Sequence, residues 1–410
     1  MSRIARTILL ACAVALLLFG VSMLYSTTYS NFSEWYLKRQ LVWIAVGGIG
    51  AGLICWKFND SVLRKYVVWL LAGVGLALFY LAVVNLLHGH AATRELAGKF
   101  PFVGGLSVGS ARWIRFKAIS LQPSELAKPV IILYLSAYFP RNARHAKKVW
   151  RGFLKPMLVV GVLTGLILLG GDLSSTVITG GIVGVAAFIG GMRLRYIVLI
   201  LAGGCLLALA AVKISPERVS RVTSFKNPED CQQDEGYQLW YSQLALGSGG
   251  VKGMGFTRSR IKHQYLPEAH TDFIVAIIGE ELGFLGVAGL IALYLGLGGS
   301  AFWLAMLAHD REGMILCGSI AAVFTLQSFV NISVVSGFGP TTGVTAPFLS
   351  YGGSSMIVSL VMVGLLLASS ARGEREAVAE LEEKQQRQRH RQPRHHGSQE
   401  RAALTAAKSQ

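Results

Sequence analysis

Between positions 265 and 273 the chain reads Tyr265-Leu266-Pro267-Glu268-Ala269-His270-Thr271-Asp272-Phe273, so an acid, an imidazole and a second acid fall within five positions. Glu280 and Glu281 follow, and an apolar run begins there. Asp272 stands where a long polar segment meets the apolar one. A carboxylate at such a boundary can reach the head group of a lipid-linked molecule while losing part of its hydration, which suits a general base. The competing expectation is structural: Asp272 or Thr271 would cap the following helix by accepting from its free N–H groups.

Ionisable groups at membrane depth are costly and mark function. A second cluster has that character: Arg112-Trp113-Ile114, then Gln122-Pro123-Ser124-Glu125-Leu126-Ala127-Lys128. Pro123 suits the first turn of a helix. Glu125 and Lys128, three apart, share a helix face and can pair, and a buried structural ion pair would satisfy the same spacing. Asp172 lies alone between two apolar blocks, where capping is the expected role. The stretch from Gly339 to Ser355 supplies Thr342, Ser350, Gly352 and Gly353. Its hydroxyls and glycine amides could hold an anion, or its small residues could serve close helix packing. The sequence has no P-loop, no dinucleotide-binding glycine motif, no zinc-ligand spacing and no G-x-S-x-G elbow. Any chemistry must therefore use an already activated substrate. The five cysteines show neither a pairing pattern nor a metal pattern.

These residues need a membrane scaffold. Of 410 residues, 52% are hydrophobic and only 15% charged, and the mean hydropathy is +0.49. A soluble domain is about 25% charged. The apolar residues come in blocks long enough to cross a hydrocarbon core of about 30 Å as helix, and such serial blocks imply a helical bundle. The blocks run over about 7–25, 40–56, 66–87, 123–139, 156–170, 176–190, 196–212, 284–307, 314–335 and 351–370. The expected fold is therefore an all-α polytopic membrane protein of about ten transmembrane helices.

The net charge of +17 comes mostly from Lys and Arg between blocks, where orientation and anionic head groups explain it and nucleic acid is not needed. Arg3 and Arg6 before the first block, and the run Arg141, Arg144, Lys147, Lys148, Arg151 and Lys155, mark the cytoplasmic side. Both termini are then cytoplasmic. The segment 213–272 becomes a long extracytoplasmic loop between helices 7 and 8, and loops of that length usually have a task. Arg94, Lys99, Arg112, Arg115 and Lys117 sit on the side that the charge rule leaves poor in cations, and an anionic substrate would account for them. A transmembrane domain over 1–370 is followed by a basic tail, 371–410, whose composition predicts disorder apart from a short charged helix over 374–384.

Taken together, these motifs resemble the SEDS family (shape, elongation, division and sporulation). The matching pieces are Arg112-Trp113, Gln122 to Lys128, Tyr237-Gln238 with Ala245 to Gly250, Tyr265 to Phe273, Gly279 to Gly283, and Pro340 to Ser355. They stand in family order across nearly the whole membrane region. Met192 to Tyr196, Tyr265 to Asp272 and Pro340 to Thr345 look more like the division branch, FtsW, than the elongation branch, RodA. The sequence departs from the family pattern at Gly170-Gly171, where many relatives carry Pro before the Asp172 position.

The resemblance implies a peptidoglycan glycosyltransferase of the bacterial inner membrane, at the division septum, that polymerises lipid II with undecaprenyl pyrophosphate as leaving group. Asp272 would be the catalytic base. Arg112 and Lys128 would offset developing charge. Gln122, Ser124, Glu125, Glu268, His270, Thr342, Ser350, Gly352 and Gly353 would shape the substrate cavity. The implied partners are a class B penicillin-binding protein (an FtsI-like transpeptidase), other divisome proteins and membrane lipid. No metal site is expected, although a divalent cation at Asp272 and Glu268 stays open without a legible ligand set. A lipid II flippase, a RodA-type polymerase and a scaffold that only recruits a transpeptidase are the alternatives. A flippase needs no general base, so the role of Asp272 separates it from a polymerase.

Overall fold

The computed structural model describes residues 1–28, 34–57, 60–89, 93–98, 100–104, 111–116, 119–145, 148–226, 229, 236–266 and 269–391. Lys99, Lys117, Cys231, Glu268 and the tail beyond Arg391 lie outside the described residues.

The chain opens with three long helices, α1 (Ser2–Thr28), α2 (Glu34–Lys57) and α3 (Asp60–Gly89). After the short α4 (Arg94–Gly98) comes a small antiparallel sheet in the order β1 (Val103–Gly104), β2 (Trp113–Phe116), β3 (Ile119–Leu121). Val103 faces Ile114, and Ile114 faces Leu121. Helices α5 (Pro123–Arg141), α6 (Lys155–Leu169), α7 (Leu173–Ile189) and α8 (Leu194–Ile214) follow. The segment after α8 contains α9 (Pro216–Lys226), α10 (Tyr237–Gly249) and α11 (Ile261–Gln264). The chain then runs through α12 (Ile274–Met306), α13 (Arg311–Val335) and α14 (Gly353–Arg391).

Among the described residues, eight helices are long and apolar enough to cross a membrane, and α7 is a shorter apolar helix. All ten apolar blocks of the sequence correspond to helices, the remaining one being α5, which carries Glu125, Lys128 and two internal prolines. The protein is a multi-pass membrane protein.

The bundle core forms where one face of each helix is apolar and turned inward. On α1 the buried positions Ala5, Leu9, Ala13, Leu16, Gly20 and Met23 recur at intervals of three and four, the spacing of a single helix face, and this face packs on α12. Leu10, Val14 and Leu18, on the opposite side, are exposed as lipid-facing residues should be. Helix α13 is the most central, packing against α5, α7 and α12. Helices α2 and α14 pack through small residues: a Cβ added to Gly364 would lie 2.8 Å from the Ala51 Cα. Close backbone approach of this kind replaces the hydrophobic drive that lipid removes.

Four features go beyond the sequence expectation. The expected all-α chain carries a three-stranded sheet, formed by the stretch between α4 and α5 pairing with itself. The described residues of the segment 213–272 include the helices α9, α10 and α11. The eighth apolar block, expected from Phe284, is only part of α12, which starts at Ile274. The charged segment continues α14 as helix from Ala371 through Arg391, longer than the short charged helix expected over 374–384. Its exposed i,i+4 pairs, Glu380–Lys384 and Glu383–Arg387, support a helix that its apolar content would not.

Candidate functional site

The 33-residue helix α12 is interrupted at Gly283, whose φ of 65° and ψ of −162° are open only to glycine. An interruption inside a bundle frees backbone groups that must find other partners. Here the segment after α10 supplies them. Met254 and Gly255 donate their N–H groups to the carbonyls of Glu280 and Glu281, each at 2.9 Å. Phe284 and Leu285 donate to the carbonyls of Gly250 and Val251, at 2.9 and 3.2 Å. The approach is so close that a Cβ on Gly249 would lie 1.9 Å from the Gly279 carbonyl oxygen, and one on Gly283 would lie 2.4 Å from the Gly253 nitrogen. The glycines of Leu246 to Gly255 and of Gly279 to Gly283 are thus two halves of one joint.

The two carboxylates at that joint hold the chain leading to Asp272. Glu280, buried, accepts from the Ser259 hydroxyl and, at 2.8 Å, from the Arg260 N–H. Glu281, fully buried, pairs with Lys262 at 2.7 Å and accepts from Ser26 of α1 at 2.7 Å and from the Thr257 N–H at 3.0 Å. Two buried acids are tolerable because each is hydrogen-bonded and one is paired.

Asp272 follows this anchored segment. The N-cap position of α12 falls on Phe273, whose side chain makes no capping bond. Phe273 and the five residues after it are buried, which fixes the start of the helix, while Asp272 is half-buried. Thr271 donates its hydroxyl to the Asp272 carboxylate at 2.8 Å. Asn331 of α13 donates its amide to the Asp272 backbone carbonyl at 2.8 Å and to that of Val344 at the same distance.

The loop 336–352 lies beside this carboxylate. Tyr351 donates its N–H to the His270 carbonyl at 2.9 Å, and the rings of Tyr36, His270 and Tyr351 cluster, with centroids 4.4 to 5.6 Å apart. Ser350 accepts from the Ala346 N–H at 2.9 Å. Gln40, buried in α2, donates to the Ser350 carbonyl and accepts from the Gly352 N–H. Gly353 packs under Trp43, a Cβ there meeting the ring at 2.8 Å, whereas Gly352 has room. The Thr342 hydroxyl is buried without a hydrogen-bond partner.

The same loop reaches the second cluster. The Gln122 N–H donates to the Ser354 hydroxyl at 3.0 Å. Gln122 and Ser124 donate their side chains to one oxygen of Asp172, at 3.1 and 2.8 Å. The other oxygen accepts from the Ser175 N–H at 3.0 Å and caps α7, as expected from the sequence. Burial works against the ionised form of Asp172, but Arg112 and the donors from Ser175 and Ser124 outweigh it and hold its pKa below the ordinary carboxylate value. The Arg112 Nε is buried with no hydrogen-bond partner.

The structure therefore joins Asp272, His270, Ser350 and Gly352 on one side to Gln122, Ser124 and Asp172 on the other, through residues 350–354. It keeps Glu125 and Lys128 in the interior, paired at 2.6 Å with the lysine side chain 1% exposed. Tyr36, Gln40 and Asn331 belong to the site and escape a search for charged residues; a search for amides inside apolar helices would have found the last two. Among the described residues no group of three or more His, Cys, Asp or Glu side chains could hold a metal ion.

The family described as "Cell cycle protein" (FtsW/RodA/SpoVE) matches residues 3–374. A relative from Trichlorobacter lovleyi, named "Probable peptidoglycan glycosyltransferase FtsW", is 37% identical over 374 residues, covering 89% of this chain and 92% of the relative. A Coxiella burnetii protein of the same name is 36% identical over 367 residues, covering 87% and 93%. Among solved structures, a chain from work on "structural coordination of polymerization and crosslinking by a peptidoglycan synthase complex" superimposes with a TM-score of 0.69 at 26% identity, covering 89% of this chain and 97% of that one. The Thermus thermophilus rod shape determining protein RodA does so with a TM-score of 0.63 at 25% identity, covering 88% and 95%. With the match running from the start of the first helix into the charged end of the last, this chain belongs to the FtsW/RodA/SpoVE family.

Proposed function

We propose that this protein is a peptidoglycan glycosyltransferase that polymerises lipid II during septal cell-wall synthesis. In this proposal the Asp272 carboxylate takes the proton from the acceptor sugar hydroxyl. That oxygen attacks the anomeric carbon of the growing chain, the new glycosidic bond forms, and undecaprenyl pyrophosphate leaves with the bonding electrons. The observation that carries this reading is the setting of Asp272: half-buried, outside the helix, with its backbone held by Asn331 and its carboxylate accepting from Thr271. A base needs a fixed position and access to its proton; the held backbone and partial exposure of Asp272 support this reading.

Other groups would support the reaction. The unpartnered Arg112 Nε suits an anionic pyrophosphate. Lys128, already neutralised by Glu125, would support α5 from within. His270, Thr342, Ser350 and Gly352 would shape the acceptor side, and Glu268 adjoins them in sequence. The family relatives' names favour the division branch. The synthase-complex neighbour favours a class B penicillin-binding protein as partner, and with it a place among divisome proteins at the septum.

The test gives labelled lipid II to the purified full chain together with its penicillin-binding partner and separates the products on a gel. Glycan ladders that disappear with Asp272→Asn are expected. Ladders that persist with that substitution would refute the catalytic role. Lipid II scrambling across vesicles that survives it, without ladders from the unaltered chain, would identify a transporter.

A further inference from the structure

At the end of the bundle that carries the N-terminus, an open groove of about 570 Å³ lies between α1, α2 and α14. Its volume is in the range of ligand sites. On α1 its wall is Arg3, Arg6, Thr7 and Leu10, which share one helix face at i, i+3, i+4 and i+7. On α14 the facing positions are Leu367, Ala368, Ala371 and Glu374, and the two small alanine side chains leave the space. Leu10 is 42% exposed, so the groove opens sideways, where a membrane helix meets lipid.

The charge is concentrated at the mouth. Arg6 hydrogen-bonds Glu374 of α14. Arg3 lies at a loose 3.9 Å from the same carboxylate, with its side chain 89% exposed. Two guanidinium groups thus share one carboxylate, leaving a net positive charge above an apolar trough. Guanidinium is suited to forked bonding of a phosphate, and basic sites between helices select anionic head groups.

We infer that this groove binds an anionic phospholipid, its phosphate held by Arg3 and Arg6 and an acyl chain lying along Leu10 and Ala368. Glu374 competes with the phosphate for the arginines and sets the affinity. The site is separate from Asp272 and does not depend on the proposed activity.

Native mass spectrometry of the full-length purified chain in mild detergent tests the inference, with phosphatidylglycerol, phosphatidylcholine and inorganic phosphate as probes. The unaltered chain should retain phosphatidylglycerol over phosphatidylcholine. Each of Arg3→Gln and Arg6→Gln should weaken retention on the order of fivefold. Glu374→Gln should strengthen it, a gain that misfolding cannot produce. Equal retention of the two lipids, or an Arg3→Gln/Arg6→Gln chain that holds phosphatidylglycerol as well as the unaltered one, would overturn the inference. Displacement of phosphatidylglycerol by millimolar inorganic phosphate would also overturn it, by showing a site for a free anion.

Discussion

The amide nitrogen of Asn331 donates to the backbone carbonyl of Asp272 and to that of Val344, both at 2.8 Å. One side chain from the most central helix thereby fixes the spacing between the carboxylate's segment and the loop that faces it. Removing it takes this donor from both carbonyls, at about 1–3 kcal/mol for the buried bond to Val344.

Asn331→Ala is therefore expected to cut polymerisation at least tenfold, because a displacement of about 1 Å at a reacting group costs rate steeply. Thermal unfolding should shift only modestly. Turnover in the lipid II assay, measured beside a melting curve, checks both; an unchanged rate would remove Asn331 from the positioning of Asp272.

Two glycines of one motif should behave in opposite ways. Gly247 has no atom within 4 Å of an added Cβ, whereas Gly249 would place one 1.9 Å from the Gly279 carbonyl oxygen. Gly247→Ala, inside α10, should be neutral or stabilise by roughly 0.5–1 kcal/mol. Gly249→Ala should lower the yield of folded protein severely. Size-exclusion profiles and melting temperatures of the two variants provide the comparison.

The Glu125–Lys128 pair can be tested for a structural or a chemical role. Lys128→Met strands a buried carboxylate and should destabilise by about 3–5 kcal/mol. The double change Glu125→Leu/Lys128→Met should recover much of that loss. If the double variant folds and still polymerises lipid II, the pair only builds α5. If it folds and is inactive, the pair belongs to the reaction.

Asp172 predicts an acid limit. Its carboxyl pKa in the fold lies below the ordinary aspartate value, so its ionised form stabilises the fold fully above about pH 4. That contribution disappears as pH falls through the lowered value. Melting temperature should drop in this window, and Asp172→Asn should be less stable at neutral pH with a flatter acid profile.

Hydropathy made the spans legible, since blocks of about 20 apolar residues have few other solutions. Asp272 draws notice in the sequence because it is charged and stands where a polar segment meets an apolar one. The start of α12 was not: Glu280 and Glu281 look polar in any local window, and the groups that satisfy them, from Ser26 to Lys262, are distant in sequence or in another helix. Gln40 and Asn331 were hidden for a similar reason, because an amide inside an apolar helix gains meaning only from a loop that folds onto it. The sheet before α5 and the helical continuation of α14 depend on pairings that composition does not record.

The interruption at Gly283 divides α12 mechanically. Its longer limb, from Phe284 to Met306, is the part whose tilt must follow the thickness of the bilayer. Both limbs are tied to the segment after α10, the shorter through the carbonyls of Glu280 and Glu281 and the longer through the N–H groups of Phe284 and Leu285, and the shorter limb also reaches Ser26 of α1. The carboxylate's segment and the membrane-length limb thus share one clamp, and a break in it would loosen both together.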